Sequence, residues 1–430
     1  MNYKLSVIIP AYNGERFLAE TLDCVLNQTL KNVQIVIVND GSTDSTAEII
    51  ADYAKKHSNI LPITQPNSGV SAARNNGIRN ASGEYLLFLD TDDVFTPDSF
   101  ELMYDKLDKT GADIAICRVQ RFGYGGEEFN PIVDEFTKED SIGCYDKRLL
   151  WNFLVSNKCY RTKWLKDTGV EFPALRYSED GAFFMQAVYH FPKITGVYGA
   201  VFRYRRHTPA EGSSVTQRIS KTLVSDFCKS LDIVYESAKA SFEKESCGCT
   251  DKDGYLQEIL AKAYTALINE FYRMIWAADD ETCRLMEARY EYLTSLMTPE
   301  TLKKCALNHK DIKTLVFDKK EINEKPQITV IAKHPTKEFI QSLYAQSMPV
   351  FQLLTCSGTV RENITVISAS NFENQAKKET RAETVVTLSG KKPLDPRFLK
   401  VVSLLKASPK FGIFPDPLII LGAKLFLKLK

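Results

Sequence analysis

The chain has 430 residues, 44% of them apolar and 25% charged, which excludes a disordered, collagenous or low-complexity protein and provides for roughly two to four folded units. Fifty-five Lys and Arg stand against 54 Asp and Glu, so the net charge of +1 supplies no broad field for nucleic acid, and no nucleic-acid partner is expected. Ten cysteines scattered from Cys24 to Cys356, with Cys247 and Cys249 the only close pair, match neither a disulfide scaffold nor a zinc site and read as reduced thiols of a cytoplasmic protein.

The chain opens on the strand-like "MNYKLSVIIP". No stretch reaches the ~18 apolar residues of a membrane span, so a soluble or peripheral protein is expected. From Leu5 to about Ala115, apolar runs ("LSVIIP", "VQIVIVND", "EYLLFLD") alternate with helical periodicity. Phe17, Leu18, Thr21, Leu22, Val25 and Leu26 share one helix face between the first two runs. This alternation predicts an α/β fold with a mostly parallel sheet covered on both faces. Ligands of such sheets gather at the carboxyl ends of the strands, where Pro10, Asp40 and Asp90 stand.

Between Phe122 and Val215 the breakers Gly123 to Gly126, Pro131, Pro173, Pro192 and Pro209 predict short elements. A long amphipathic helix follows, carried by Leu256, Ile259, Leu260, Ala263, Tyr264, Leu267, Ile268, Phe271, Tyr272 and Ile275. Beyond Pro326 the order of the first region returns in diverged form. "ITVIAKHPTKEFIQSLYAQSMPVFQLLTCSGT" follows "LSVIIPAYNGERFLAETLDCVLNQTLKNVQIVIVNDGST", and "ETVVTLSGKKPLDPRFLKVV" aligns without gaps to "EYLLFLDTDDVFTPDSFELM". In this copy Ser357, Ser389 and Lys391 stand where Asp40, Asp90 and Asp92 stood. The expected organisation is a catalytic domain over 1–212, a helical region over 213–322 and a non-catalytic repeat over 323–430.

The chemistry concentrates in acidic groups at strand ends. "FLDTDD" sets Asp90, Asp92 and Asp93 just past a buried strand, where crowded carboxylates repel unless a cation sits among them. Oxygen ligands favour Mg2+ or Mn2+ bridging to phosphates, while a plain helix cap by Asp93 or Thr96 explains the same residues structurally. Asp40, ahead of "GSTDS", can accept a hydrogen bond from a base or a ribose hydroxyl, and Ser42 to Ser45 serve equally as a helix cap.

Taken in order, "SVIIPAYNGERFLAETLDCVLNQT", "IVIVNDGSTDST", "NSGVSAARNNGIRNASGEYLLFLDTDD" and "SEDGAFF" resemble the family 2 glycosyltransferases of the GT-A fold, over about residues 1 to 210. The resemblance implies a nucleotide pocket at Pro10, Ala11, Tyr12, Glu15, Asp40, Arg74 and Asp90. It also implies a divalent cation, Mn2+ or Mg2+, on Asp92 with Asp93 in support. Asp180 matches the family's base position, with Glu179 beside it; acids in a first helical turn are the plain alternative. His207, after Arg203, Arg205 and Arg206, adds a metal ligand or a phosphate contact, or is structural.

The tail "PLIILGAKLFLKLK" is cationic and apolar, which suits either a last helix of the repeat or contact with an anionic membrane surface. The expected function is inverting transfer from a nucleotide-sugar donor, UDP-linked, to a glycan or lipid-linked acceptor in cell-surface polysaccharide synthesis. The C-terminal copy would serve docking or homo-oligomer formation. A non-catalytic nucleotide-sugar-binding scaffold is the rival, and it has no need of a base at Asp180.

Overall fold

The computed structural model describes residues 3–207, 221–274 and 280–306, together with five short strands after residue 327. The chain divides into two compact units, one of Met1–Arg218 and Thr222–Lys262 and the other of Ile219–Lys221 and Ala263–Lys430.

In the first unit, β1 (Leu5–Ala11), α1 (Leu18–Leu26), β2 (Val33–Asn39), α2 (Thr46–Lys56), β3 (Ile60–Thr64), α3 (Val70–Asn80) and β4 (Tyr85–Phe88) alternate as the apolar runs predict. All seven residues of β2 and all four of β4 are buried, because helices cover both faces, and a strand so enclosed reads as a continuous apolar run. The order β3-β2-β1-β4 is parallel throughout and carries all four carboxyl ends to one edge. Helix α3 lies close on β1: a Cβ at Gly77 would stand 2.2 Å from Ile8 Cγ2, so only glycine fits there.

The second half of this sheet is mixed. After β5 (Val94–Phe95) and α4 (Ser99–Thr110) come β6 (Ile114–Gly123), β7 (Glu128–Phe129), α5 (Pro131–Phe136), a 3-10 turn at Lys147–Trp151, β8 (Lys158–Arg161), α6 (Thr162–Thr168), α7 (Glu179–Val188) and β9 (Ile194–Arg206). The order continues β4-β8-β6-β9-β5, with β8 antiparallel to both neighbours and β6 parallel to β9. The sheet is mixed and, as expected from sequence, largely parallel, with its antiparallel pairings confined to the second half. The reversal sits on β8, whose four residues "KCYR" carry no apolar run to announce a strand. Helix α8 (Lys221–Ser241) and the first part of α9 (Lys252–Met274) belong to the same unit. Under the strand ends, Phe172 and Phe183 stack at 3.8 Å, and Phe88 meets both rings edge-on. Each such buried ring contributes about 2–3 kcal/mol through area alone.

The second unit holds the remainder of α9, α10 (Asp280–Leu296), α11 (Pro299–Ala306) and a sheet of β10 (Ile328–Ile331), β11 (Phe351–Thr355), β12 (Ile364–Val366), β13 (Thr384–Thr387) and β14 (Phe426–Leu427). Its order is β12-β11-β10-β13-β14, parallel except for β14. Ser357, Ser389, Lys391 and the cationic tail, apart from Phe426 and Leu427, lie outside the described residues. Among the described residues no helix is long and apolar enough to cross a membrane.

Candidate active site

The loops after β1 and β2 are tied together by side chains that cap backbone groups. Asn13, itself in the left-handed region at φ 51°, accepts from the Thr43 amide at 2.8 Å. Glu15 accepts from the Ser45 amide at 3.0 Å, while its own amide donates to Asp44 at 3.1 Å. Ala11 is buried and its carbonyl accepts from the Asp40 amide at 2.8 Å; Pro10 is half-buried. Tyr12 is left 53% exposed on this rim, a flat aromatic face open to a ligand.

Asp40 is buried and does structural work first. Its carboxylate accepts from Gln65 Nε2 at 2.8 Å and from the amides of Ser68 and Gly69 at 2.9 and 2.8 Å. It thereby fixes the loop that leads into α3. Gly41 follows at φ +74°, and a Cβ there would meet the Asn67 amide nitrogen at 2.8 Å, so the turn needs glycine on both counts.

Arg74 comes up from α3, only 4% exposed, between two acids contributed by separate parts of the chain. Its Nη2 donates to Asp90 Oδ1 at 2.9 Å and its Nη1 to Glu179 Oε1 at 2.6 Å, with the guanidinium 5.3 Å from the Phe172 ring centre. Burial opposes the charge, but Asp90 and Glu179 outweigh it and hold the guanidinium protonated above its ordinary value. Arg74 is thus no surface helix charge; it joins Asp90, just past β4, to the start of α7.

Asp180 follows Glu179 at that helix start and keeps part of its surface in solvent. Desolvation, then the neighbouring Glu179, push its carboxyl up from 3.8 to about 7, against the pull of Arg74. A carboxyl poised near neutral pH is suited to accept a proton.

The three acids of "FLDTDD" have different surroundings. Asp90 binds Arg74. Asp92 lies 2.6 Å from His207 Nε2, and burial, then Asp90, raise its carboxyl while His207 lowers it. Asp93, expected beside Asp92 on a cation, is 1% exposed and accepts from the Arg205 amide on β9 at 2.8 Å; desolvation, then Asp92, push it well up. Its carboxylate is spent on joining the loop to the sheet.

Among the described residues no three His, Cys, Asp or Glu side chains converge as a metal site. Asp92 and His207 nevertheless suit a cation such as Mn2+ or Mg2+, which takes few protein ligands and completes its shell with substrate phosphates and water.

Residues 6–169 match the model of "Glycosyl transferase family 2". That stretch is a family 2 glycosyltransferase domain. Glycosyltransferase GlyA of Streptococcus pneumoniae serotype 4 is 47% identical over 119 residues, 28% of this chain and 17% of that relative. A poly(ribitol-phosphate) beta-glucosyltransferase of Bacillus spizizenii is 32% identical over 197 residues, 45% of this chain and 30% of that relative. The crystal structure of S. aureus TarS 1-349 in complex with UDP shares the fold, with TM-score 0.56 and 22% identity, covering 74% of this chain and 91% of that one. The chain spans less than two thirds of the length of the curated relatives it matches.

Several residues of the glycosyltransferase domain's site carry no signal of their own in the sequence. Ser178 sits at φ +59° immediately before Glu179, a conformation that costs a non-glycine residue about 1–2 kcal/mol. It is held there from α8: Ser230 Oγ donates to the Ser178 carbonyl at 2.7 Å, and Asp226 accepts from the Arg176 amide at 2.8 Å. From the other side, the Asn75 side chain brackets Phe172, accepting from its amide at 2.8 Å and donating to its carbonyl at 2.9 Å. Asn157 and Lys158 are both buried. The Lys158 ammonium donates to the Asn152 carbonyl at 3.0 Å, to the Leu154 carbonyl and to Asn157 Oδ1 at 2.9 Å, and burial lowers it to about 7. Its bonds make it the anchor of the segment leading into β8.

Proposed function

We propose that the chain is an inverting, divalent-cation-dependent glycosyltransferase. It moves a sugar from a UDP-linked donor to a hydroxyl of a glycan or lipid-linked acceptor in cell-surface polysaccharide synthesis. The observation that carries this reading is the Arg74 bridge: one buried guanidinium locks the acid at the donor edge, Asp90, to the acid beside the base, Glu179. Donor and base positions are thereby held in one frame, which is what orientation catalysis requires. The UDP bound by TarS and the poly(ribitol-phosphate) named for the Bacillus spizizenii relative support the donor and acceptor classes.

In this mechanism Tyr12 packs against the base or ribose, and the loop braced by Asp40 and Gly41 shapes the wall of the nucleotide pocket. Asp92 and His207 would hold the cation, which supplies charge neutralisation for the departing diphosphate. Asp180 takes the proton of the acceptor hydroxyl as that oxygen bonds the anomeric carbon. The bond from the anomeric carbon to the diphosphate oxygen breaks in the same step, and the nucleoside diphosphate leaves with its electron pair. A single displacement inverts the centre, so an α-linked donor yields a β-linked product.

The second unit fits a diverged copy of the first. Leu5 pairs Tyr85 as the aligned Ile328 pairs the aligned Thr384, and on the other side β1 pairs β2 and β2 pairs β3 in parallel as β10 pairs β11 and β11 pairs β12. Its proposed role is docking or self-association, without chemistry of its own.

The test is turnover of a panel of UDP-, GDP- and dTDP-sugars with Mn2+ or Mg2+, before and after chelation, beside Asp92→Ala. Cation-dependent use of a UDP-sugar, lost in the variant, is the expected result. Turnover that survives both chelation and Asp92→Ala would overturn the metal assignment, and no turnover of any donor would overturn the reading as a whole.

A further inference from the structure

Trp151 closes the 3-10 turn at Lys147–Trp151 and leaves 46% of its surface in solvent, an unusual position for so large an apolar side chain. The Lys262 ammonium stands 3.7 Å from the Trp151 ring centre and 5.8 Å from that of Phe153. Phe153 in turn presses on α7, where a Cβ at Gly181 would fall 2.6 Å from its Cδ2. Gly181 is the residue after Asp180. An aromatic platform with a cation on it therefore begins one residue from the group that receives the acceptor's proton.

Among the described residues no carboxylate pairs with Lys262, and Glu258, one helical turn earlier on α9, is bonded to Lys147 at 3.1 Å. Half-buried over an indole, the ammonium is lowered by desolvation to about 8, so it is still mainly charged at neutral pH and gains from an anion brought close. An exposed indole offers a flat apolar surface that suits the C–H face of a sugar ring, with an N–H that can donate to a polar group.

We propose that Trp151, Phe153 and Lys262 form an acceptor subsite that takes a sugar bearing an anionic substituent, phosphate or carboxylate, with the ring on the indole and the anion at the lysine. The assignment rests on the transferase reading of Asp180, but its test does not depend on turnover.

The full chain is titrated by calorimetry with three oligosaccharide sets: neutral, hexuronate-containing and phosphodiester-linked. One anionic set should bind at least about tenfold more tightly than the neutral one, and the better of the two names the anion. Trp151→Ala and Lys262→Gln should each weaken that binding about tenfold, while Trp151→Phe retains most of it. Donor hydrolysis without acceptor should remain within about twofold of the unaltered chain in all three variants. The proposal is overturned if no glycan binds, if neutral and anionic sets bind equally, if Trp151→Ala binds like the unaltered chain, or if both Trp151 variants lose donor hydrolysis along with glycan binding. If the unaltered chain hydrolyses no donor yet binds an anionic glycan through Trp151, the subsite stands and the transferase reading falls.

Discussion

Replacing Asp180 by Asn should stabilise the protein at neutral pH while abolishing transfer. The carboxyl climbs from 3.8 to about 7 in the folded chain, which corresponds to a penalty of about 4 kcal/mol on the ionised form. Between those values the folded state binds more protons than the unfolded state, so this group subtracts stability as pH rises from about 4 to about 7 and the full loss is felt above that. Asn has the same shape, carries no charge, and can still accept from the Gly181 amide, which Asp180 Oδ1 does at 2.8 Å. The residue retains some solvent contact, so about half of the ceiling, roughly 2 kcal/mol at pH 8, is the expected gain, falling below half of that at pH 5 and vanishing near pH 4. Urea unfolding of the chain and the variant at pH 8, 5 and 4, followed by the loss of helix signal, measures it. A variant that is less stable than the original at pH 8, or a gain that does not depend on pH, would refute the assignment of a strained, poised carboxyl.

Other consequences follow from the same contacts. Activity should climb on the acid limb with a midpoint near pH 7, because Asp180 must be ionised to accept a proton, and Glu179→Gln should move that midpoint to lower pH by removing the neighbouring charge; pH profiles of kcat/KM measure both. Arg74→Ala leaves Asp90 and Glu179 without their shared cation and should cost about 3–5 kcal/mol in urea unfolding, with an unchanged midpoint counting against the bridge. Asp226→Ala removes the acceptor for the Arg176 amide and should lower kcat about tenfold with little change in nucleotide affinity, since it acts on the Asp180 loop alone. Equal losses in both would mean that α8 supports the fold and not the base.

The parallel half of the sheet was legible because buried strands write themselves as runs such as "VQIVIVN", and α1 and α9 as three- and four-residue spacings. The placing of Asp40 and Asp90 just past buried strands was legible for the same reason. What stayed hidden depends on distant partners. Arg74 and Glu179 are 105 positions apart, and neither residue signals that it will be buried on the other. In "FLDTDD" the three acids look alike, yet Asp93 turns to a β9 amide because β5 pairs with β9, a fact that no local pattern contains. The grip of Ser230 on Ser178 is likewise set by the packing of α8 on the loop before α7.

The central claim is that Asp180 accepts the acceptor's proton within a frame that binds the donor independently. Single-turnover transfer and nucleotide binding, measured side by side for the chain and for Asp180→Asn, test it most directly. Transfer should fall by at least about a thousandfold with nucleotide affinity unchanged within about twofold. Transfer that persists in Asp180→Asn at a comparable rate would contradict it and require the base to be sought elsewhere in the domain.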